Sequence, residues 1–143
     1  MKMTGRHQIG LRALFDIAFH CRGQQAQVKD ISARQGIPIR YLEEVMQELR
    51  KAKLVDARRG PRGGYVLARP AEEISVADIF AAFESSEPKT AHPTGADIPG
   101  QIWEDLSKEI QQVLARSLLS DFIARAEAAG LKRATAEPQM YFI

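Results

Sequence analysis

Apolar residues recur at three- and four-residue spacing in successive stretches of the amino-terminal half, which is the pattern of amphipathic helices. The first stretch runs from Gly10 to Cys21, the second from Val28 to Gln35, and the third from about Ile39 to Lys53. A short turn separates the last two, because Gly36 can end a helix in the left-handed conformation and Pro38 suits the first position of the next helix. The pattern predicts three helices, of which the second and third form a helix-turn-helix.

A hairpin with an arginine-rich tip is predicted after these helices. Two short apolar runs, Leu54–Ala57 and Tyr65–Leu67, have the composition of its strands. Glycines at positions 60, 63 and 64 permit the positive φ angles that a tight tip needs. Arg58, Arg59 and Arg62 place guanidinium groups where a phosphate backbone or a minor groove would lie. A helix-turn-helix followed by such a hairpin is the layout of a winged helix-turn-helix, so the sequence predicts a DNA-binding regulator.

The helix predicted from Ile39 onward is the recognition helix of this arrangement. Its apolar side carries four residues at helical spacing: Leu42, Val45, Met46 and Leu49. The polar residues near its amino end are therefore expected to face outward. Arg40 has the geometry to bind a guanine edge, and Glu43 or Glu44 can accept a hydrogen bond from a cytosine amino group. A solvated face with no part in DNA recognition is the alternative interpretation.

The carboxyl-terminal half predicts further helices. Ser75 and Asp78 have the spacing of a capping box, which predicts a short helix beginning after Ser75. A long apolar stripe runs from about Gln101 to Ala115 and continues, or breaks near Ser117, into residues 118–129. We expect this long helix to pair with its copy on a second subunit, which suits a palindromic DNA site. Folding of the stripe back onto its own domain is the alternative.

The sequence thus divides into four predicted segments within a fold that is mainly α with a small β-hairpin wing. They are a winged helix-turn-helix over residues 1–84, a loop over 85–100, dimerisation helices over 101–130 and a tail over 131–143. The tail is hydrophilic until Met140-Tyr141-Phe142-Ile143, and four apolar residues are unusual at a solvated carboxyl terminus. These residues either dock onto the body of the dimer or bind another protein.

Charge is distributed unevenly along the chain. The 143 residues have a net charge of only +2, but residues 1–69 hold 14 Lys/Arg against 6 Asp/Glu, whereas residues 70–143 hold 6 against 12. This asymmetry favours a polyanion as the partner of the first half. Chance segregation of solvated charges is the alternative explanation.

Composition argues against several other classes of protein. No apolar run approaches the roughly 20 residues of a membrane span, and no signal peptide opens the chain, so the cytoplasm is the expected compartment. The single cysteine, Cys21, excludes an intramolecular disulfide and is expected to be a small core residue. No nucleophile–base pair, phosphate loop or set of paired carboxylates indicates an enzyme.

These motifs together resemble the Rrf2 family of bacterial winged-helix transcription regulators over essentially the whole chain. The resemblance rests on short segments: Ala13-Leu14, Ile31-Ser32, Tyr41-Leu42-Glu43, Leu49-Arg50, Leu54-Val55, Arg59-Gly60, Gly63-Gly64-Tyr65-Val66-Leu67 and Ile74-Ser75-Val76-Ala77-Asp78-Ile79. It implies a dimer joined through the long helix, with the recognition helix in the major groove of DNA and the wing in the minor groove. Pro38 stands where the family commonly has Ser, and Glu44 where Gln is frequent, so the operator sequence stays open.

The resemblance also extends the set of predicted DNA contacts. On matching positions it implies contacts by Arg40, Tyr41, Glu43, Arg59 and Gly60. With the residues chosen for their own chemistry, the predicted DNA-binding set is Ile39, Arg40, Tyr41, Glu43, Glu44, Arg58, Arg59, Gly60, Arg62 and Gly63.

Many members of the family carry an iron–sulfur cluster on three cysteines in the loop before the long helix. Residues 84–100 contain no cysteine, and thiolates are the ligands that hold such clusters, so no cluster and no other cofactor is expected. His92 with Glu87 or Asp97 could form a weak metal site, but histidines in polar loops are mostly solvated, and no metal is predicted.

The end of the chain resembles that of a cluster-free branch of the family, which represses cysteine-metabolism genes. The resemblance implies cysteine synthase as a partner of Met140, Tyr141, Phe142 and Ile143, with the terminal carboxylate imitating that of the enzyme's substrate. Packing of the tail on its own dimer is the alternative. There are two alternative functions. One is a regulator that senses a small molecule or metal through residues 85–100, and the other is a winged helix that only binds proteins. The basic wing argues against the second alternative.

Overall fold

The computed structural model describes residues 5–84 and 98–134. Within these ranges, six α-helices and one 3-10 turn surround a two-stranded antiparallel hairpin. The elements follow in the order α1 (Gly5–His20), α2 (Val28–Gln35), α3 (Ile39–Lys51), β1 (Val55–Arg58), β2 (Gly64–Leu67), a 3-10 turn (Ala71–Glu73), α4 (Val76–Ala81), α5 (Ile98–Arg116) and α6 (Leu119–Ala128). The predicted fold class, mainly helical with a small hairpin, is confirmed. None of the helices in the described ranges is long and apolar enough to cross a membrane.

The core lies where α1, α2 and α3 pack together. Leu14 of α1, Ile31 of α2 and Leu42 of α3 are fully buried there. Burial of each such side chain stabilises the fold by about 1.5–3 kcal/mol. α1 begins at Gly5 rather than at the predicted Gly10, and a Cβ at Gly10 would lie 2.5 Å from the ring of Phe83. The glycine that looked like a helix boundary is therefore a point of close packing inside the helix.

The turn between α2 and α3 forms as the sequence predicts. Gly36 has a φ of 66° and donates its N–H to the Ser32 carbonyl, which ends α2. Ile37 is buried beneath the turn, and its carbonyl accepts a hydrogen bond from Ser32 Oγ at 2.5 Å. Pro38 lies one position earlier than predicted, as the residue that caps α3 rather than the first residue inside it.

The hairpin lies close to its predicted position. Val55 pairs with Leu67 and Arg58 pairs with Gly64, so the strands extend one residue closer to the tip than the apolar pattern indicated. Tyr65 also forms an isolated bridge with Ala26, which ties β2 to the segment before α2. The wing is thus attached both to the end of α3 and to the start of the helix-turn-helix.

The two helices of the carboxyl-terminal half differ in their surroundings. α5 begins at Ile98, and every residue from 101 to 113 is exposed. After a break at residues 117–118, α6 packs against α1, and its first residue, Leu119, is fully buried. The functional division of the chain, including a dimerisation role for residues 101–130, remains a prediction. Residues 85–97, most of the predicted loop, and the tail residues Met140–Ile143 lie outside the described ranges.

Candidate nucleic-acid interface

The outward face of α3 contains all five helix residues that were predicted to contact DNA. Ile39 is 46% exposed although it is apolar, and Tyr41 is 57% exposed although it carries a large aromatic ring. Arg40, Glu43 and Glu44 are exposed beside them. The face turns outward because the opposite side of α3 is anchored in the core by four buried residues at helical spacing: Leu42, Val45, Met46 and Leu49.

The wing presents its three arginines to solvent. Arg58, Arg59 and Arg62 are all exposed at or beside the tip. Gly60 has a φ of 117°, a conformation that other residues rarely adopt, and its carbonyl accepts a hydrogen bond from the Gly63 N–H at 2.8 Å. The tip is therefore a closed turn that carries guanidinium groups on its outside.

The glycines of the wing serve two different purposes. The sequence predicted positive φ angles at all three, but only Gly60 has one. At Gly63 a Cβ would lie 2.6 Å from the Arg58 carbonyl oxygen, and at Gly64 it would collide with the backbone of Ala26. The prediction of positive φ angles at Gly63 and Gly64 was therefore wrong. Glycine is required at these two positions because other backbone atoms approach too closely to leave room for a Cβ.

A notch of about 450 Å³ separates the wing from the amino end of α2. Gln27, Val28 and Lys29 line one side, and Arg58 and Gly60 line the other. Lys29 thus adds a cation beside the wing that was not among the predicted DNA contacts. Its place in the first turn of the helix before the recognition helix was the available signal.

An ion pair between the buried Asp16 of α1 and the partly exposed Arg34 of α2 joins these two helices. Arg34 donates from Nη2 to Asp16 Oδ1 at 2.7 Å and from Nε to Oδ2 at 3.0 Å, and Gln35 Nε2 donates to Oδ2 at 3.0 Å. The hydrogen bond to Asp16 raises the pKa of Arg34 above its ordinary value. Asp16 was not among the residues predicted from the sequence, although an acidic residue next to the apolar stripe of α1 is a signal of a paired buried charge.

Comparison with known proteins agrees with this geometry. A family model described as "Rrf2: Iron-dependent Transcriptional regulator" matches residues 3–125. The HTH-type transcriptional regulator IscR of Vibrio atlanticus (strain LGP32) is 38% identical over 121 residues, which cover 80% of this chain and 70% of that protein.

Two solved structures are also similar. The structure of T. potens IscR superimposes with a TM-score of 0.79 at 34% identity and covers 99% of this chain and 97% of its own. The structure of CymR (YrzC), the global cysteine regulator of B. subtilis, gives a TM-score of 0.73 at 26% identity, with 87% and 98% covered. These likenesses confirm the winged helix-turn-helix fold.

The description of the family model raises the question of whether this chain fits an iron centre. The sequence has one cysteine, Cys21, and burial raises the pKa of its thiol, which opposes the thiolate that iron would need. Among residues 5–84 and 98–134, no group of three or more His, Cys, Asp or Glu side chains could hold a metal ion. The residues present do not fit a cysteine-bound cluster.

The match of the family model over most of the chain, the identity with IscR and the shared fold lead to one conclusion. The chain belongs to the Rrf2 family of transcriptional regulators, which are DNA-binding proteins and not enzymes.

Proposed function

We propose that the protein is a dimeric repressor that binds a palindromic operator, with one winged helix-turn-helix on each half-site. The observation that carries this proposal is the exposed set of cations and hydrogen-bonding groups on α3 and the wing, mounted on a buried apolar framework. A phosphate backbone is the partner that such a surface suits best.

The residues of α3 are proposed to read bases in the major groove. Arg40 recognises guanine through two hydrogen bonds, while Glu43 and Glu44 accept from cytosine amino groups. Ile39 and Tyr41 supply apolar contact to thymine methyl groups and the sugar–phosphate backbone. The exposure of two large apolar side chains at the start of a helix favours a surface that is covered by a partner.

The wing is proposed to enter the minor groove or to follow the adjacent backbone. Arg58, Arg59 and Arg62 neutralise phosphates there, and the absence of side chains at Gly60 and Gly63 lets the tip approach closely. Lys29, across the notch from Arg58, adds a backbone contact from α2. These contacts supply affinity and position rather than base recognition.

The dimer is proposed to form through α5. Five large apolar residues along this helix are exposed by between 36% and 54%, namely Ile98, Ile102, Leu106, Ile110 and Val113, and Trp103 beside them is 64% exposed. A monomer rarely leaves such a stripe in water. A second copy of α5 offers the same stripe, so two-fold pairing would cover both at once and would match a DNA site with two-fold symmetry.

Selection of bound sequences from random DNA tests this proposal. We expect the selected DNA to contain two inverted half-sites about one helical turn apart or a multiple of it. Arg40→Ala should relax the preference at one position in each half-site at a cost of about 1–3 kcal/mol, because one bidentate contact is lost. Gln47→Ala, on the outward side of the same helix but outside the proposed set, is the matched control. Enrichment of no sequence would contradict specific binding.

We further propose that the regulated genes belong to cysteine metabolism and that cysteine synthase binds Met140–Ile143. The similarity to the global cysteine regulator CymR and the apolar composition of these four residues support this finer function. Removal of Phe142 and Ile143 should abolish co-purification with cysteine synthase, whereas Gln139→Ala should preserve it. Equal recovery of the enzyme with both variants would exclude the tail as its binding site.

A further inference from the structure

Just after the carboxyl end of α5, the backbone pairs with a short segment of the winged helix-turn-helix. Ser75 and Leu118 form an isolated antiparallel bridge. On either side of it, the Val76 N–H donates to the Ser117 carbonyl and the Leu119 N–H donates to the Ile74 carbonyl, each at 2.8 Å. We call this paired backbone, residues 74–76 with residues 117–119, the joint.

Two carboxylates accept hydrogen bonds from the backbone of the joint, one on each of its two segments. Asp78 accepts a hydrogen bond from the Ser75 N–H at 3.0 Å, which closes the capping box of α4. Asp121 accepts one from the Leu118 N–H at 2.9 Å at the start of α6. The two residues that pair across the joint, Ser75 and Leu118, are also the N-cap residues of α4 and α6, so neither can rotate without loss of a helix cap.

The joint is seated in the core. Ile74 and Leu119 are fully buried, and Val76 is only 5% exposed to solvent. By contrast, α5 is exposed along residues 101–113. The described contacts that set the direction of α5 are therefore the joint at its carboxyl end and the packing of α5 against α4.

We propose that the joint sets the separation of the two half-sites that the dimer accepts, with Asp78 and Asp121 as its positioning residues. The inference rests on the proposed pairing of α5 with its copy. If two copies meet along α5, the angle at which α5 leaves each winged helix-turn-helix determines how far apart the two recognition helices lie.

The length of α5 makes this angle important. A helix of 19 residues is about 28 Å long, so a tilt of roughly 7° at the joint moves the far end by about 3.4 Å, the rise of one base pair. A change of one base pair also rotates a half-site by roughly 35° about the DNA axis. A stiff joint therefore favours one separation, and a loose joint accepts several.

The test uses a library of duplexes in which two inverted half-sites, taken from the selection experiment, are separated by different numbers of base pairs. The wild-type dimer should bind one separation about tenfold more tightly than separations one base pair longer or shorter. Asp121→Ala should reduce this preference to about threefold or less, while the base preference within each half-site stays unchanged. Asp121→Asn keeps an oxygen acceptor for the Leu118 N–H and should restore the narrow preference.

A second variant keeps the test decisive if Asp121→Ala does not fold. Leu118→Gly preserves the backbone hydrogen bonds of the joint but adds backbone freedom, and it should also broaden the accepted separations. Folded variants that retain the wild-type separation preference would overturn the role of the joint alone. A wild-type protein that binds single half-sites without any preferred separation would overturn the proposed dimeric function, and the role of the joint with it.

Discussion

At the scale of single residues, the polar groups below the candidate interface act through their burial. Asp16 is fully buried, yet its carboxylate receives hydrogen bonds from Arg34 and Gln35, so α1 and α2 are joined by charge as well as by apolar packing. His20, one turn later on α1, accepts a hydrogen bond from the Ala134 N–H at 2.7 Å. Both contacts can be tested by substitution.

Asp16→Ala should destabilise the protein. The substitution leaves the guanidinium of Arg34 and the amide of Gln35 without their acceptor, and loss of such a hydrogen-bond partner costs about 1–3 kcal/mol. Because the Arg34 side chain is 27% exposed and can regain water, we expect the lower end of this range. Urea denaturation followed by circular dichroism measures the change. Asp30→Ala, which removes an exposed carboxylate from α2, is the control, and an equal effect of both would contradict the assignment.

The contribution of His20 to stability should depend on pH. Burial lowers the pKa of His20 below 6.5, with Arg34 and Arg133 acting in the same direction and Asp16 opposing them. The folded state therefore binds fewer protons than the unfolded state between these two pKa values. The stabilisation is present above pH 6.5 and is lost as pH falls through the folded pKa.

Denaturation of the wild type and of His20→Gln between pH 7.5 and 5 checks this dependence. The difference in unfolding free energy between the two proteins should fall as the pH is lowered. A difference that is constant over the range would show that His20 does not change its protonation on unfolding.

At the scale of secondary-structure elements, the parts of the site differ in how far the sequence could predict them. The recognition helix was predictable because its apolar spacing shows directly which side is buried, and the Ser75–Asp78 capping box because it is local in sequence. The close approach of Gly64 to Ala26, the buried pairing of Asp16 with Arg34 and the docking of α6 on α1 were not predictable. Each of these three contacts joins residues that are distant in sequence, and the spacing of apolar residues gives no information about such contacts.

Gly60→Ala should weaken the wing. A φ of 117° is unfavourable for any residue with a Cβ, and such a conformation costs about 1–3 kcal/mol. We expect a corresponding loss of unfolding free energy or a distorted tip, and weaker DNA binding in either case, which fluorescence anisotropy can measure. Gly5→Ala is the matched control, because a Cβ meets nothing within 4 Å at either position and of the two only Gly60 has a positive φ. Wild-type affinity of Gly60→Ala would show that the tip conformation is dispensable.

At the scale of the whole molecule, the basic and acidic halves of the sequence correspond to different parts of the structure. The basic first half forms the helix-turn-helix and the wing, whereas α5, in the acidic second half, carries the exposed apolar stripe. One winged helix-turn-helix contacts only a few base pairs, so affinity and specificity both increase when two are linked.

Leu106→Glu should convert the protein to a monomer. The charge would be placed in the middle of the apolar stripe, where pairing of two copies would bury it without a partner. Sedimentation equilibrium should give twice the chain mass for the wild type and the chain mass for the variant. Gln111→Glu, an equal change of charge on the other side of α5, should stay dimeric. A dimeric Leu106→Glu protein would exclude α5 as the interface.

The most direct test of the account is the salt dependence of DNA binding for the wild type and Arg59→Ala, with Arg125→Ala on α6 as a charge-matched control. If the helix and wing of both subunits grip one duplex, the affinity of the wild type should fall steeply with salt. Loss of one cationic contact per subunit should weaken binding and lower the slope of log K against log salt by about two per dimer, whereas the control should match the wild type. Equal affinity and slope for all three proteins would contradict a DNA-binding wing.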